Sequence, residues 1–305
     1  MPTMSRLILR QLSARLLQFC PDSCRVRQHR IGGGPAAALR LTPLVILVIA
    51  ATASAAAPKR VLLLGQKRDH PPETHEYLSG LHVLQKCLRS VPGLESKLLR
   101  VDGPWADGPE QLAHADAIVL YMGEGGRWVQ EDERRLAAIR ALAARGGGIV
   151  ALHWAVGARD AKYIPEFVAL LGGMHGGPDR KYTFVETDIT VLNRQHPIVR
   201  GVEVTRLKDE FYYRLKLADK GRLVPLWQAK LDGREETIAW AFERPDGGRS
   251  FGFVGMHYHR NWSLAACRRL VVQGFLWTLD LPIPERGLAV DIAPEDLRIR
   301  DDEGS

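Results

Sequence analysis

Five polar side chains stand where an α/β fold exposes chemistry. His153 closes the apolar run Gly148-Ile149-Val150-Ala151-Leu152, and in an open parallel sheet ligands collect in the crevice beyond the carboxyl ends of the strands. An imidazole there can act as general acid or base, or as a metal ligand. It also stands where a strand-to-helix elbow carries Ser or Cys in nucleophilic enzymes, so a simple acyl-enzyme route loses its nucleophile. His70 follows an earlier apolar run in Gln66-Lys67-Arg68-Asp69-His70-Pro71. His175 lies in Gly172-Gly173-Met174-His175-Gly176-Gly177, whose glycines admit close backbone approach to a ligand. His257 and His259 follow a later strand in Gly255-Met256-His257-Tyr258-His259, and only one of them is expected to point inward.

The remaining catalytic candidate is Glu210, in Lys208-Asp209-Glu210-Phe211-Tyr212-Tyr213. Consecutive acids followed by aromatics can supply a carboxylate for proton transfer, for sugar hydroxyls or for a metal, beside a stacking face; a solvated turn before a strand reads equally well. The catalytic candidates are His70, His153, His175, Glu210 and His257. The candidates for substrate contact are Trp154, Asp209, Tyr212 and Tyr258, with Trp240 and Trp262 as further members of a stacking wall. His75, His82 and His114 read as surface residues of helices or loops. The histidines are too far apart in sequence for a ligand-spacing argument, so a divalent metal stays open as cofactor. No GxGxxG follows the first strand and no P-loop is present, which weakens any dinucleotide or nucleotide reading.

The elements that must position these residues follow from apolar patterning. Arg60–Gly65, Leu94–Val101, Ala117–Tyr121 and Ile149–Leu152 read as strands, and Thr74–Ser90, Val129–Ala144 and Ile164–Leu171 as helices. Such alternation implies βαβ units around a parallel sheet. After Gly172 the helices thin out: Tyr182–Leu192, Ile238–Phe242 and Phe251–Met256 read as strands, Thr205–Lys216 more weakly so, and Leu264–Leu279 as a closing helix. The expected fold is therefore α/β, a three-layer open, mostly parallel sheet with an antiparallel extension. Residues 283–305 form an acidic, Pro-containing tail expected to be irregular.

Residues 1–57 differ from the rest. Seven arginines precede Leu41, an apolar run covers Leu41–Ala53, and Ala53-Ser54-Ala55-Ala56-Ala57 leads into Pro58. A basic flank, a short apolar core and an Ala-x-Ala exit describe a secretory signal, so the protein is expected to be exported to the periplasm or outside the cell, with membrane contact only if the leader stays uncleaved. The leader holds six of the seven net positive charges, which removes the electrostatic case for a nucleic-acid partner. Cys87 and Cys267 are the two cysteines beyond it; both sit in helix-like stretches and are expected to be buried thiols. Homo-oligomerisation is left open.

Together, His70, Gly148 to Trp154, the His175 glycine loop, His196-Pro197 with Gly201, Asp209-Glu210 with Tyr212, Trp240 and Gly255-Met256-His257 make residues 58–282 resemble the ThuA-like, or trehalose-utilisation, domain family. The resemblance implies a fold of the flavodoxin and class I glutamine amidotransferase type. It puts His153 where an amidotransferase has its nucleophilic Cys, and Gly255 to His259 where one has its catalytic His, so glutamine hydrolysis is not expected. It implies instead a role in carbohydrate metabolism, on a sugar, keto-sugar or glycoside, with hydrolase, lyase and isomerase all open. The alternative is a non-catalytic carbohydrate-binding domain.

Overall fold

The computed structural model describes residues 57–300; the expected leader falls outside them except for Ala57. Nine strands form one sheet in the order β2-β1-β3-β4-β11-β10-β9-β6-β7. In its first half the chain runs β1 (Lys59–Gly65), α1 (Tyr77–Leu88), β2 (Leu94–Arg100), α2 (Gly108–Ala113), β3 (Ala117–Tyr121), α3 (Gly125–Gln130), α4 (Glu133–Ala144), β4 (Gly148–Leu152) and α5 (Ile164–Leu171). The second half continues β5 (Gly173–Met174), β6 (Lys181–Val191), β7 (Arg206–Tyr213), β8 (Lys216–Leu217), β9 (Arg222–Leu231), β10 (Arg234–Glu243), β11 (Arg249–Phe253) and α6 (Ala265–Thr278).

Strands β2, β1, β3, β4 and β11 are mutually parallel, and β10, β9, β6 and β7 extend them antiparallel. This is the α/β sheet with antiparallel extension expected from the sequence. Every residue of β3 and β4 is buried, which explains why both read as unbroken apolar runs: helices cover both faces. Helix α1 packs with α6, and α2 with α4; reversal of the strand order at β1 sends successive right-handed crossovers to opposite faces.

Three departures from the sequence reading have local causes. The stretch expected as one helix over Val129–Ala144 is two, because Asp132 leaves the helix and accepts the Arg135 N–H as an N-cap. Strand β9 was not anticipated, since Pro225 interrupts its apolar pattern; Pro225 lies opposite Trp240 beside a register shift in β10. The helix expected from Thr74 begins only at Tyr77. Among the described residues after α6 there is one short 3-10 turn, Pro294–Leu297, yet this stretch is fastened down: Arg268 donates to Val290 O and Arg269 to Leu288 O. Cys87 and Cys267 are free and buried, and no described helix is long and apolar enough to cross a membrane.

Candidate functional site

His75, read from sequence as a surface residue, is 1% exposed and sits at the centre of the site. Glu73 and His75 take left-handed backbone conformations, φ 71° and 52°, uncommon for residues with a Cβ. They fold the segment before α1 into a turn that is stitched to the far end of the chain: His75 N–H donates to His257 O at 3.0 Å, and His259 N–H to Glu73 O at 2.9 Å. His153 is left-handed as well, φ 52°, where β4 gives way to the 3-10 turn His153–Val156. Such strain persists only where the surroundings over-determine it, and it concentrates at functional sites.

Glu210 and Tyr212 come from β7, whose alternation puts them on one face and Asp209 and Phe211 on the other. Asp209 is fully buried, and its carboxylate accepts the N–H groups of Met256 (2.6 Å), His257 (3.0 Å) and Glu210 (3.0 Å). It holds the His257 segment in place and has no free side for a sugar. Burial raises its carboxyl to about 6 although those N–H groups oppose the shift.

Four side chains from distant segments meet on the Glu210 face. His75 Nε2 lies 2.9 Å from His153 Nε2, and His257 Nδ1 lies 3.2 Å from the same nitrogen. Glu210 Oε2 stands 2.9 Å from His257 Nδ1, 3.3 Å from His153 Nε2 and 3.9 Å from His75 Nε2. The Tyr212 hydroxyl is 3.2 Å from His153 Nε2 and 3.3 Å from Glu210 Oε2.

The outer hydrogen bonds fix what these nitrogens are. His153 Nδ1 faces Val254 O at 3.0 Å; a carbonyl only accepts, so Nδ1 carries the proton and Nε2 presents a lone pair. His75 Nδ1 lies 2.7 Å from Asp69 Oδ1, and Asp69 is ionised: burial would raise it, but the hydrogen bonds of His75 and His70 hold it at about 2. His75 Nδ1 is therefore also a donor. Burial, only partly offset by Glu210, drops His153 to about 4, so it is neutral at pH 7. Burial would raise the Glu210 carboxyl, but the imidazoles around it, with His257 Nδ1 nearest at 2.9 Å, hold it far below the carboxylate range.

Three ring nitrogens and a carboxylate oxygen thus converge with no hydrocarbon between them. All four atoms lie within 4.8 Å of one another, and the spacings of 2.9–3.9 Å from His153 and Glu210 to the others bracket the roughly 3.4 Å edge of a tetrahedron of ligands about 2.0–2.1 Å from a metal ion. Imidazole with one carboxylate suits a divalent first-row transition metal, and Asp69 behind His75 supplies the carboxylate–histidine support typical of such ligands. The set fits a metal ion.

Among the sequence candidates, His153, His257 and Glu210 are thus brought together. His70 stands at the rim, half-exposed, with Nδ1 2.9 Å from Asp69 Oδ1 and its ring 3.6 Å from that of His75. His175 is buried but does not reach the cluster: it stacks on Tyr212 at 4.4 Å, and its Nδ1 has no hydrogen-bond partner. Tyr212 stacks on His153 with its other face at 4.9 Å, so the phenol is clamped between two imidazoles. Trp154 packs edgewise on His175. Tyr258 is half-buried, its ring edge-on to His257 at 4.7 Å. Trp240 and Trp262 are fully buried core residues and form no stacking wall. His82 is half-buried and His114 exposed, and neither takes part. His259 turns away from His257 toward Leu297 O; a strand would put the two on one face, but β11 ends at Phe253 and His259 opens a 3-10 turn. His75 and Asp69 are the residues the sequence reading missed; the pairing of Pro71-Pro72 with Thr74, a turn signal before a helix, was the available clue.

The ThuA family pattern, described as trehalose utilisation, matches residues 62–278. No curated protein matches the chain. A ThuA-like protein from Parabacteroides merdae superposes with a TM-score of 0.57 at 19% identity, covering 73% of this chain and 90% of its own. One from Bacteroides uniformis gives 0.58 at 17% identity, covering 74% and 93%. The glutaminase domain of a Trypanosoma brucei CTPS with bound acivicin gives 0.42 at 13% identity, covering 76% and 98%.

Proposed function

Because this chain belongs to the ThuA family, described as trehalose utilisation, we propose that it acts on a sugar, keto-sugar or glycoside at a divalent-metal centre held by His75, His153, Glu210 and His257. One observation carries the metal reading. Two imidazole nitrogens whose opposite nitrogens are already committed as donors face each other at 2.9 Å, and a carboxylate oxygen joins them. Such a pair is held either by a proton on His75 or by a cation among the lone pairs, and the convergence of Glu210 and His257 on the same point favours the cation. The family description supports the sugar.

Held by these residues, a divalent ion would supply Lewis-acid polarisation of a carbonyl or hydroxyl oxygen. The chain's own groups do the rest. Burial and the neighbouring Glu210 carboxylate push the Tyr212 phenol well above its ordinary value, so it stays protonated and is a proton donor at the edge of the centre. Its clamping between His153 and His175 leaves it little freedom to misplace that proton. His70, the one imidazole of the group open to water, is placed to exchange protons with solvent. The basic flank, apolar run and Ala-x-Ala exit of residues 1–57 support action outside the cytoplasm.

Elemental mass spectrometry of the purified protein beside His153→Ala and Glu210→Ala tests the centre. Near-stoichiometric metal in the parent, lost in both variants, is expected. A parent that binds no divalent transition metal even after incubation with Zn²⁺ or Mn²⁺ would overturn it.

A further inference from the structure

The face that carries Glu210 and Tyr212 continues onto the neighbouring strand as bare aromatic surface. Phe184 is the cross-strand partner of Glu210, and Tyr182 of Tyr212. Partners in an antiparallel pair project from the same face of the sheet, so both rings lie beside the centre. They are nonetheless 55% and 59% exposed, the two most exposed large hydrophobic residues described. The Phe184 ring lies 5.2 Å from that of His257, and the Tyr182 ring 6.0 Å beyond Phe184, edge to face. Further along the strand the surface turns ionic at once, with Arg206 bridging Glu186 and Asp188.

We propose that Tyr182 and Phe184 form the binding face for the non-reacting ring of a glycoside whose other ring is held at the metal centre; this rests on the sugar-active reading above. A pyranose presents a patch of axial C–H groups on one face and hydroxyls around its edge. An exposed aromatic buries the patch and leaves the hydroxyls in water. Two rings bounded by ion pairs make an apolar patch of one-sugar size, far short of the roughly 800 Å² per partner that a stable protein interface needs. The order of the groups along the face sets the substrate class: a monosaccharide at the centre reaches Phe184 at most, whereas Tyr182, one aromatic step further out, is met only by a second ring.

Calorimetric titration of the full chain, loaded with Zn²⁺ or Mn²⁺, with trehalose and with glucose tests this in the parent, Tyr182→Ala and Phe184→Ala. Expected is an about five- to tenfold weaker trehalose affinity in Tyr182→Ala, with glucose affinity and metal content unchanged. Trehalose binding equal to the parent in both variants, or equal losses for trehalose and glucose in Tyr182→Ala, would overturn the second-ring face while leaving the sugar-active centre standing. A shift of oligomeric state in the variants with sugar affinity retained would make the face a contact between copies and overturn it too. If the metal-loaded parent binds neither sugar, the sugar-active reading itself falls and takes the face with it.

Discussion

Asp69 accepts the Nδ1–H of His75 at 2.7 Å while the opposite nitrogen of the same ring points into the cluster of His153, Glu210 and His257. The carboxylate therefore decides which nitrogen of His75 is available. Asp69→Asn keeps the shape but lets the amide donate as well as accept, loosening the tautomer. Metal affinity is expected to fall about 10- to 100-fold, read by competition with a chromogenic chelator. Affinity equal to the parent would show that Asp69 does not orient the ring.

Tyr212→Phe retains the stack between His153 and His175 and removes only the hydroxyl that faces Glu210 and His153. Turnover of a sugar substrate is expected to drop about 10²-fold or more with metal content unchanged. Loss of the metal in this variant would make the hydroxyl a ligand rather than a proton donor.

Gly252 lies on β11 opposite Trp240 of β10, and a Cβ there would fall inside the indole. The ring cannot retreat, because it is fully buried and its Nε1–H is tied to Leu171 O at 2.8 Å. Gly252→Ala is expected to cost about 2–3 kcal/mol in denaturant unfolding. Unchanged stability would mean the core repacks there at no cost.

His196 is kept neutral in the fold. Burial, helped by Arg222, lowers it from 6.5 to about 4, and its Nδ1 accepts the Ile198 N–H at 3.3 Å. Between those values the unfolded chain binds the extra proton, so its contribution to stability is complete above about pH 6.5 and is lost as the pH falls toward 4. His196→Asn, which retains an acceptor, is expected to flatten the stability profile of the metal-free protein across that window. A variant with the parent's slope would assign the acid sensitivity to other groups, His175 first among them, since burial holds it at about 3.

The legible part of the molecule was the part where one physical signal dominates. Strands β1, β3 and β4 are apolar because helices cover them, and their ends place His153 without further information. Glu210 was legible as chemistry but only weakly as a strand residue, because Asp209 and Glu210 read equally well as a solvated turn until the buried N–H groups of Met256 and His257 give Asp209 its partners. His75 was illegible for a different reason. Its neighbours have helical periodicity, and what removes it from the helix is a left-handed backbone stabilised by contacts with residues nearly two hundred positions away, which no local pattern reports. Tyr182 and Phe184 alternate as strand residues should, but only the register with β7 shows what they stand beside.

The four residues of the proposed centre come from segments far apart in the chain. His153 is 78 residues from His75 and 104 from His257, so an ion at their meeting point would close two long loops at once. Closure of long loops is where a cross-link removes most freedom from the unfolded chain, and binding to the folded form alone adds stability in proportion to the logarithm of ion concentration. The four atoms proposed to hold the ion would then serve as the clasp between the parallel and antiparallel halves of the sheet, and the supply of metal around the protein would help determine how long the folded form lasts.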